Sequence, residues 1–230
     1  MTELPLKQTV SRTTRLSRRH AFDLVAAGIG LTFLSPLLAL VALAIKLDDG
    51  EEVFYSQTRV GKDFRLFHLV KFRSMAPGSD RSGLLTAPGD SRLTRVGRFL
   101  RKHKLDELPQ LFNVLKGEMQ LVGPRPEVER YVSLFRAEYS VLLHDLPGIT
   151  DPASIAYRNE EQWFHGERIE EQYVSQILPD KLTISLDYQQ KRNSLSDIRI
   201  LLQTLFPSQI LRGDVRNIRK EQPSTSKIPD

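Results

Sequence analysis

The stretch from Leu24 to Ile45, LVAAGIGLTFLSPLLALVALAI, runs 22 residues without a charge, and it constrains this chain more than any other feature. As a straight helix it is ~33 Å long, enough to cross a hydrocarbon core of about 30 Å. Pro36 interrupts it. Proline lacks the N–H that would bond the carbonyl of Thr32, and its ring clashes with that carbonyl, so a break is expected at Ser35-Pro36. The two arms, Leu24 to Leu34 and Leu37 to Ile45, are each ~14–16 Å, about half a membrane. The hydroxyls of Thr32 and Ser35 are placed to satisfy carbonyls freed by the break, which hydrocarbon leaves unpaired at a cost of several kcal/mol.

The flanks favour a segment that dips in and returns. Arg12, Arg15, Arg18 and Arg19 precede it and Lys46, Arg59, Lys62 and Arg65 follow it, so the positive-inside bias draws both ends to one side. A kinked full span is the competing arrangement, because proline is tolerated inside real spans. A secretory signal fits less well: the run exceeds the usual 7–15-residue apolar region, Asp23 stands at its start, and no clean cleavage context follows Ala44.

The remainder sets the class. A chain of 230 residues supports one main domain, and 40% hydrophobic with 27% charged residues excludes a disordered, fibrous or polytopic protein. There is no cysteine, hence no disulfide, no Cys-ligated metal and no thiol nucleophile. The net charge of +5 favours an anionic partner without choosing one. Val53–Val60 and Phe64–Phe72, rich in β-branched and aromatic residues and separated by Gly61-Lys62-Asp63, read as a hairpin. Helices are expected at Glu107–Lys116, Pro126–Leu143, Glu160–Leu178, Lys181–Lys191 and Ser196–Phe206. RLTRVGRFLRKHK, Arg92 to Lys104, gathers Leu93, Val96, Phe99 and Leu100 on an arc of roughly 120°, with most cations outside it. This basic amphipathic helix suits either a core-facing position or an anionic membrane surface. The expected fold is therefore α+β and mostly helical. It has a flexible basic N-terminus (1–19), a re-entrant membrane hairpin (20–46), a cytosolic domain (47–212) with interfacial helices and a small β-hairpin, and a disordered tail (213–230).

The chemistry concentrates in Leu105-Asp106-Glu107-Leu108-Pro109-Gln110-Leu111-Phe112-Asn113-Val114-Leu115-Lys116-Gly117. Its apolar spacing is helical, Pro109 suits the first turn and Gly117 the C-terminus, which puts Asp106 at the N-terminus. Taken alone, Asp106 is an ordinary N-cap. The cations change its meaning: Arg98, Arg101, Lys102 and Lys104 precede it, and Gly123-Pro124-Arg125-Pro126 follows, its prolines restricting the backbone that presents the Arg125 fork. A helix start with converging arginines is a phosphate site. Lys71, Arg73 and Arg158 add charges of lower individual weight.

In order and spacing, these motifs resemble the bacterial sugar transferases, also called monotopic phosphoglycosyl transferases. The likeness covers about residues 20 to 212. It rests on His20-Ala21-Phe22-Asp23-Leu24, Ser35-Pro36, Lys46-Leu47-Asp48, Val53-Phe54-Tyr55-Ser56-Gln57, Lys71-Phe72-Arg73-Ser74-Met75, the Asp106-Glu107 segment, Leu121-Val122-Gly123-Pro124-Arg125-Pro126 and Pro147-Gly148-Ile149-Thr150. The resemblance implies a compact catalytic form on a re-entrant helix broken at Ser35 and Pro36, at the cytoplasmic face of the bacterial inner membrane. It implies Mg²⁺, a UDP-sugar donor, a polyprenyl phosphate acceptor and release of UMP, starting exopolysaccharide, O-antigen or other glycan assembly that downstream membrane glycosyltransferases extend. Asp106 is then the nucleophile, Glu107 its partner, and both are candidate metal ligands. Arg101, Arg125 and Arg158 match basic positions of the family's site and are expected to bind phosphate or nucleotide, with Lys71 and Arg73 as weaker candidates.

Asp151 stands where the family commonly has Gly, and this points to an altered loop near the sugar. Competing classes are a glycosyltransferase releasing UDP, a nucleic-acid-binding module and a non-catalytic membrane scaffold. The second leaves the apolar run unexplained, so no nucleic-acid partner is expected, and the third leaves the Asp-Glu pair unexplained.

Overall fold

The computed structural model describes residues 18–79, 83–164 and 168–206. The expected flexible N-terminus, apart from its last two residues, and the expected disordered tail lie outside the described residues, as do Arg12 and Arg15.

The apolar run forms one helix, α1 (Arg18–Asp49), which stays helical through Pro36, so the expected break at Ser35-Pro36 does not divide it into two helices. The freed carbonyl finds a partner as the sequence predicts: Ser35 Oγ donates to the Thr32 oxygen at 2.8 Å, and Thr32 Oγ1 to the Gly28 oxygen at 2.9 Å. Burial along α1 is uneven. Asp23 and Ala27 are buried near one end and Val41 and Ile45 near the other, while no residue from Gly28 to Leu40 is. Both ends are therefore fastened to the same body and the middle, around Ser35-Pro36, is not.

The hairpin forms as expected, with β1 (Phe54–Val60) antiparallel to β2 (Leu66–Phe72) and Phe54 opposite Phe72. Then follow α2 (Arg95–His103), a 3₁₀ turn at Leu105–Glu107, and α3 (Gln110–Leu115), closed by Gly117 at φ 73°. The helix expected from Glu107 is thus shorter, and Asp106 lies in the preceding turn rather than at the helix N-cap.

A second sheet has no counterpart in the hydropathy pattern. β3 (Gln120–Val122) pairs in parallel with β4 (Gly148–Thr150), each strand three residues long and too short to show alternation. Both crossing points are glycines: a Cβ on Gly148 would stand 2.1 Å from the Gly123 nitrogen. The helix expected over Pro126–Leu143 is two, α4 (Glu129–Leu134) and α5 (Arg136–Leu142). Residues before Glu129 stay extended because the Val60 N–H bonds the Glu127 carbonyl at 2.9 Å, and Phe135 leaves helical geometry where it packs on the core. After β4 come α6 (Pro152–Ala156), a 3₁₀ turn at Glu160–Trp163, and α7 (Ile169–Gln172). A widened π turn at Tyr173–Ile177 joins α7 to α8 (Leu178–Lys191), and α9 (Ser194–Leu205) closes the described chain. The expected break near Pro179 is absent: the helix runs on from the π turn into α8, and proline falls at that junction, where the widened turn takes up its missing N–H.

Three apolar clusters hold these elements. One joins Val60 to Tyr131, Tyr139, Leu142, Tyr173, Leu178 and Leu182; a second joins Ala27 of α1 to Leu69, Val114, Met119 and Ile200; the third sets Val41 and Ile45 of α1 against Phe72 and Leu100. The Asp-Glu turn sits between the end of β2 and the end of α2.

Candidate active site

α2 delivers the first part of the site. Thr94 caps it, its hydroxyl accepting from the Gly97 N–H at 2.9 Å. Lys104 then takes the left-handed conformation at φ 57°, turning the chain sharply into Leu105–Glu107. Asp106 is thereby driven inward, with 6% of its surface exposed, and its Oδ1 has no hydrogen-bond partner.

Glu107 lies beside it under different forces. Arg125 grips it with both arms, Nη1 to Oε2 at 3.0 Å and Nη2 to Oε1 at 2.5 Å, and Lys71 Nζ stands 3.6 Å from Oε1. The Arg125 backbone is held by the second sheet, where the Gly123 N–H bonds the Thr150 carbonyl and the Gly148 N–H bonds the Pro124 carbonyl, both at 2.9 Å.

Burial and charge push the two carboxylates apart. Burial raises the Asp106 pKa, and the Glu107 charge next to it raises it further. Burial also works against ionised Glu107, but Arg125 and Lys71 together outweigh it and hold that carboxyl well below the usual range. Glu107 is the settled anion; Asp106 is the strained one, poised for a cation or phosphate to change its state. Burial lowers the Lys71 pKa to about 8, against the pull of Glu107.

The pair opens onto a cavity of about 680 Å³. All seven sequence-predicted chemical residues line it: Asp106, Glu107, Lys71, Arg73, Arg101, Arg125 and Arg158. Their availability differs. Arg101 makes no close ion pair among the described residues but its charge acts on Asp106, whereas Arg158 donates to the Thr204 carbonyl at 3.2 Å. Arg73 is spent on structure: its fork holds Asp49 at 2.7 and 2.5 Å and it donates to the Glu52 and Met75 carbonyls, tying the end of α1 to the hairpin.

The far wall escaped the sequence. Glu127 is buried between Arg59, at 3.0 Å, and the Tyr173 hydroxyl, at 2.6 Å; Lys181 stands over the Tyr173 ring and pairs with Glu160 at 2.8 Å. Only Glu127, next to the Gly-Pro-Arg-Pro motif, offered a local signal. Lys104 is a further wall residue, marked by its left-handed backbone. Asp151 lies elsewhere. With 1% exposure it caps α6 and accepts from the hydroxyls of Ser154 and Ser185, each at 2.6 Å, so it joins α6 to α8 rather than shaping the main cavity.

Among the described residues no cluster of three or more His, Asp or Glu gathers as a metal cage. The donor set that exists is two carboxylates, one with a free buried oxygen. That suits a hard cation shared with a substrate phosphate.

The chain has relatives among known proteins. At 43% identity over 143 residues, 60% of this chain, it is similar to the UDP-N-acetylgalactosamine-undecaprenyl-phosphate N-acetylgalactosaminephosphotransferase of Aeromonas hydrophila, of whose length it spans only 34%. The UDP-glucose:undecaprenyl-phosphate glucose-1-phosphate transferase of Caulobacter vibrioides is 36% identical over 192 residues, 82% of this chain and 68% of that protein. The exopolysaccharide production protein ExoY of Sinorhizobium fredii is 36% identical over 211 residues, 85% of this chain and 87% of that protein. The profile of the family described as bacterial sugar transferase matches residues 14–210, and with the Asp-Glu turn, the Arg125 clamp and the apolar α1 in one body, the chain belongs to that family.

Proposed function

We propose that this protein moves a sugar 1-phosphate from a UDP-sugar to undecaprenyl phosphate with release of UMP, and so begins an exopolysaccharide or related glycan. One observation carries the reading: a buried carboxylate oxygen of Asp106, free of hydrogen bonds, at a cavity whose walls bring Arg101, Lys104, Lys71, Arg125 and Arg158 around it. The names of the relatives, which pair UDP-sugars with undecaprenyl phosphate, supply the substrate class.

In the first step Asp106 Oδ1 attacks the phosphorus that bears the sugar. The bond from that phosphorus to the bridging oxygen breaks, and UMP leaves with the electron pair. An oxygen of undecaprenyl phosphate then attacks the same phosphorus, and the Asp106 carboxylate departs unchanged. No proton transfer is required in either step. Arg101 and Arg158 meet the diphosphate, and Arg125 keeps Glu107 ionised and fixed beside the reacting centre. A magnesium ion, when bound, neutralises the diphosphate. Glu107 would hold it through Oε2, whose second lone pair is left over beside the bond from Arg125, with Asp106 as the second carboxylate and its Oδ1 kept for the attack.

We further infer that α1 is re-entrant and the body lies on the cytoplasmic face of the membrane. The fastening of both ends of α1 to one body supports the re-entrant course, because a span would carry one end to the opposite side, and the cations flanking the apolar run support the cytoplasmic face.

Protein quenched in mid-turnover with a UDP-sugar is expected to gain the mass of a hexose phosphate on the peptide carrying Asp106, and the Asp106→Asn variant to lack both adduct and turnover. Release of UDP instead of UMP overturns the reading.

A further inference from the structure

The Asp106 turn and α3 share one buried face. Between Leu105 and Leu115 the buried residues are Asp106, Pro109, Gln110, Asn113 and Val114, at the spacing i, i+3, i+4, i+7 and i+8 of a single helical side. Asn113 shows what that side lies against. Its Oδ1 accepts the Val70 N–H at 3.0 Å and its Nδ2 donates to the His68 carbonyl at 2.7 Å, so the face packs on β2. The strand continues to Lys71, whose charge acts on Asp106. Gln110 stands between this anchor and the nucleophile, four residues after Asp106, and side chains on a helix lean back toward its N-terminus.

Two polar atoms on the face are left over. Asp106 Oδ1 and Gln110 Nε2 are both buried without a hydrogen-bond partner. Gln110 is 1% exposed and does not line the cavity, so it does not meet substrate. A buried donor without an acceptor costs stability that an apolar side chain of equal length would not forfeit. The amide therefore calls for an acceptor that the reaction supplies.

Asp106 provides one. When its carboxylate turns Oδ1 toward the phosphorus, the other oxygen turns toward the protein. That oxygen is an uncharged carbonyl while the sugar phosphate is attached. When undecaprenyl phosphate displaces the sugar phosphate, the bond from phosphorus to Asp106 breaks, its electron pair returns to the carboxylate, and charge reappears in a buried place. Lys71 and Lys104 face this charge but also serve Glu107, and Arg101 faces it from α2. We propose that Gln110 is a positioning residue for Asp106: its Nε2 donates to the carboxylate oxygen that does not attack, and so makes Asp106 a better leaving group in the second step. That oxygen has two lone pairs, so the amide and a cation can share it. The inference rests on the transfer reading above and adds a residue which that reading does not use.

The two steps are timed separately on full-length protein in nanodiscs. The protein is loaded from a UDP-sugar alone, with the gain of hexose-phosphate mass followed; undecaprenyl phosphate is then added and the loss of that mass is timed by rapid quench. In Gln110→Met the loss is expected to slow about tenfold or more, as removal of a donor to a charged acceptor does, while loading changes less than threefold. The thermal midpoint is expected to hold or rise, because an unpaired donor has gone. Gln110→Asn keeps the amide but withdraws it by one carbon, and is expected to slow the loss in the same selective way. If the Met variant does not fold, the two rates in Gln110→Asn decide. Loss at the unaltered rate in the variants overturns the proposal, and so does equal slowing of both steps with a lowered midpoint, the mark of a packing role. Absence of any adduct in the unaltered protein removes the transfer reading itself, whereas an adduct there with indifferent variants removes only the role of Gln110.

Discussion

Asp106 and Glu107 are adjacent, chemically similar, and put to opposite use by their surroundings. What separates them is the Arg125 fork, whose two parallel bonds a lysine ammonium cannot reproduce. Arg125→Lys is expected to lower turnover about 10- to 100-fold, the worth of one charge-assisted hydrogen bond, with the protein still folded by circular dichroism. Lys71 makes a second prediction. Its pKa near 8 means that the charge facing Glu107 fades as pH rises through that value, so turnover is expected to fall on an alkaline limb centred there, and Lys71→Arg to move the limb beyond the measurable range. The fold releases this proton before the unfolded chain does. Stability from this group therefore rises between about 8 and the ordinary 10.5 while activity falls, so an activity loss in that window is not unfolding. Asp151 offers a contrast. Read as a departure near the sugar, it is a cap in the structure, and Asp151→Ala is expected to cost ~2 kcal/mol of stability through the lost cap and the orphaned Ser185 hydroxyl, with the preferred sugar unchanged in a donor panel.

Between elements, the critical contacts are backbone to backbone. α2 crosses the chain after β2 so closely that a Cβ on Gly97 would stand 2.0 Å from the Ser74 carbonyl oxygen and 2.6 Å from its Cα. Neither atom can swing away as a side-chain tip does. Gly97→Ala is expected to lift α2, cost about 1–3 kcal/mol or more, and reduce activity by displacing Arg101 and the Asp106 turn, seen as a lower thermal midpoint with weakened UDP-sugar binding. Such crossings explain what the sequence conveys and what it does not. The hairpin was legible because two seven-residue strands carry their own composition, and α1 because 22 uncharged residues admit few alternatives. The β3–β4 pair was not, because three-residue strands have no period and their pairing is set by two glycines 25 positions apart. The arc of Leu93, Val96, Phe99 and Leu100 suits either a core or a membrane surface, and the structure divides it: Gly97 makes the close approach, Leu100 is buried beside it, and Phe99 is turned out. Within the site, Asp106, Glu107 and Arg125 were legible as clustered charge, whereas Tyr173, Lys181 and Glu160 reach the cavity only through tertiary packing.

The whole molecule is organised by the two attachments of α1. At its start Ala27 is buried with Val114 and Met119, and at its end Val41 and Ile45 pack on Phe72 and Leu100 while Asp49 holds Arg73. A helix crossing a bilayer would have to surrender one of these attachments, exposing apolar core at that end and leaving the Arg73 fork, buried against Asp49, without its anion. A helix that enters one leaflet and returns keeps both. Single cysteines at Ala21 and Glu51, both exposed, separate the two arrangements in intact cells. Both positions are expected to resist a membrane-impermeant thiol reagent applied from outside and to react once the inner face is opened; labelling of one from each side means a span. Pro36 extends the argument, because it removes the N–H that would bond Thr32 and Ser35 supplies the substitute. In Pro36→Ala the backbone bond to Thr32 returns and the middle of α1 stiffens, so some molecules are expected to expose position 21 or 51 on the outer side. That redistribution, with the unaltered protein labelled only from within, would tie the topology to one imino acid.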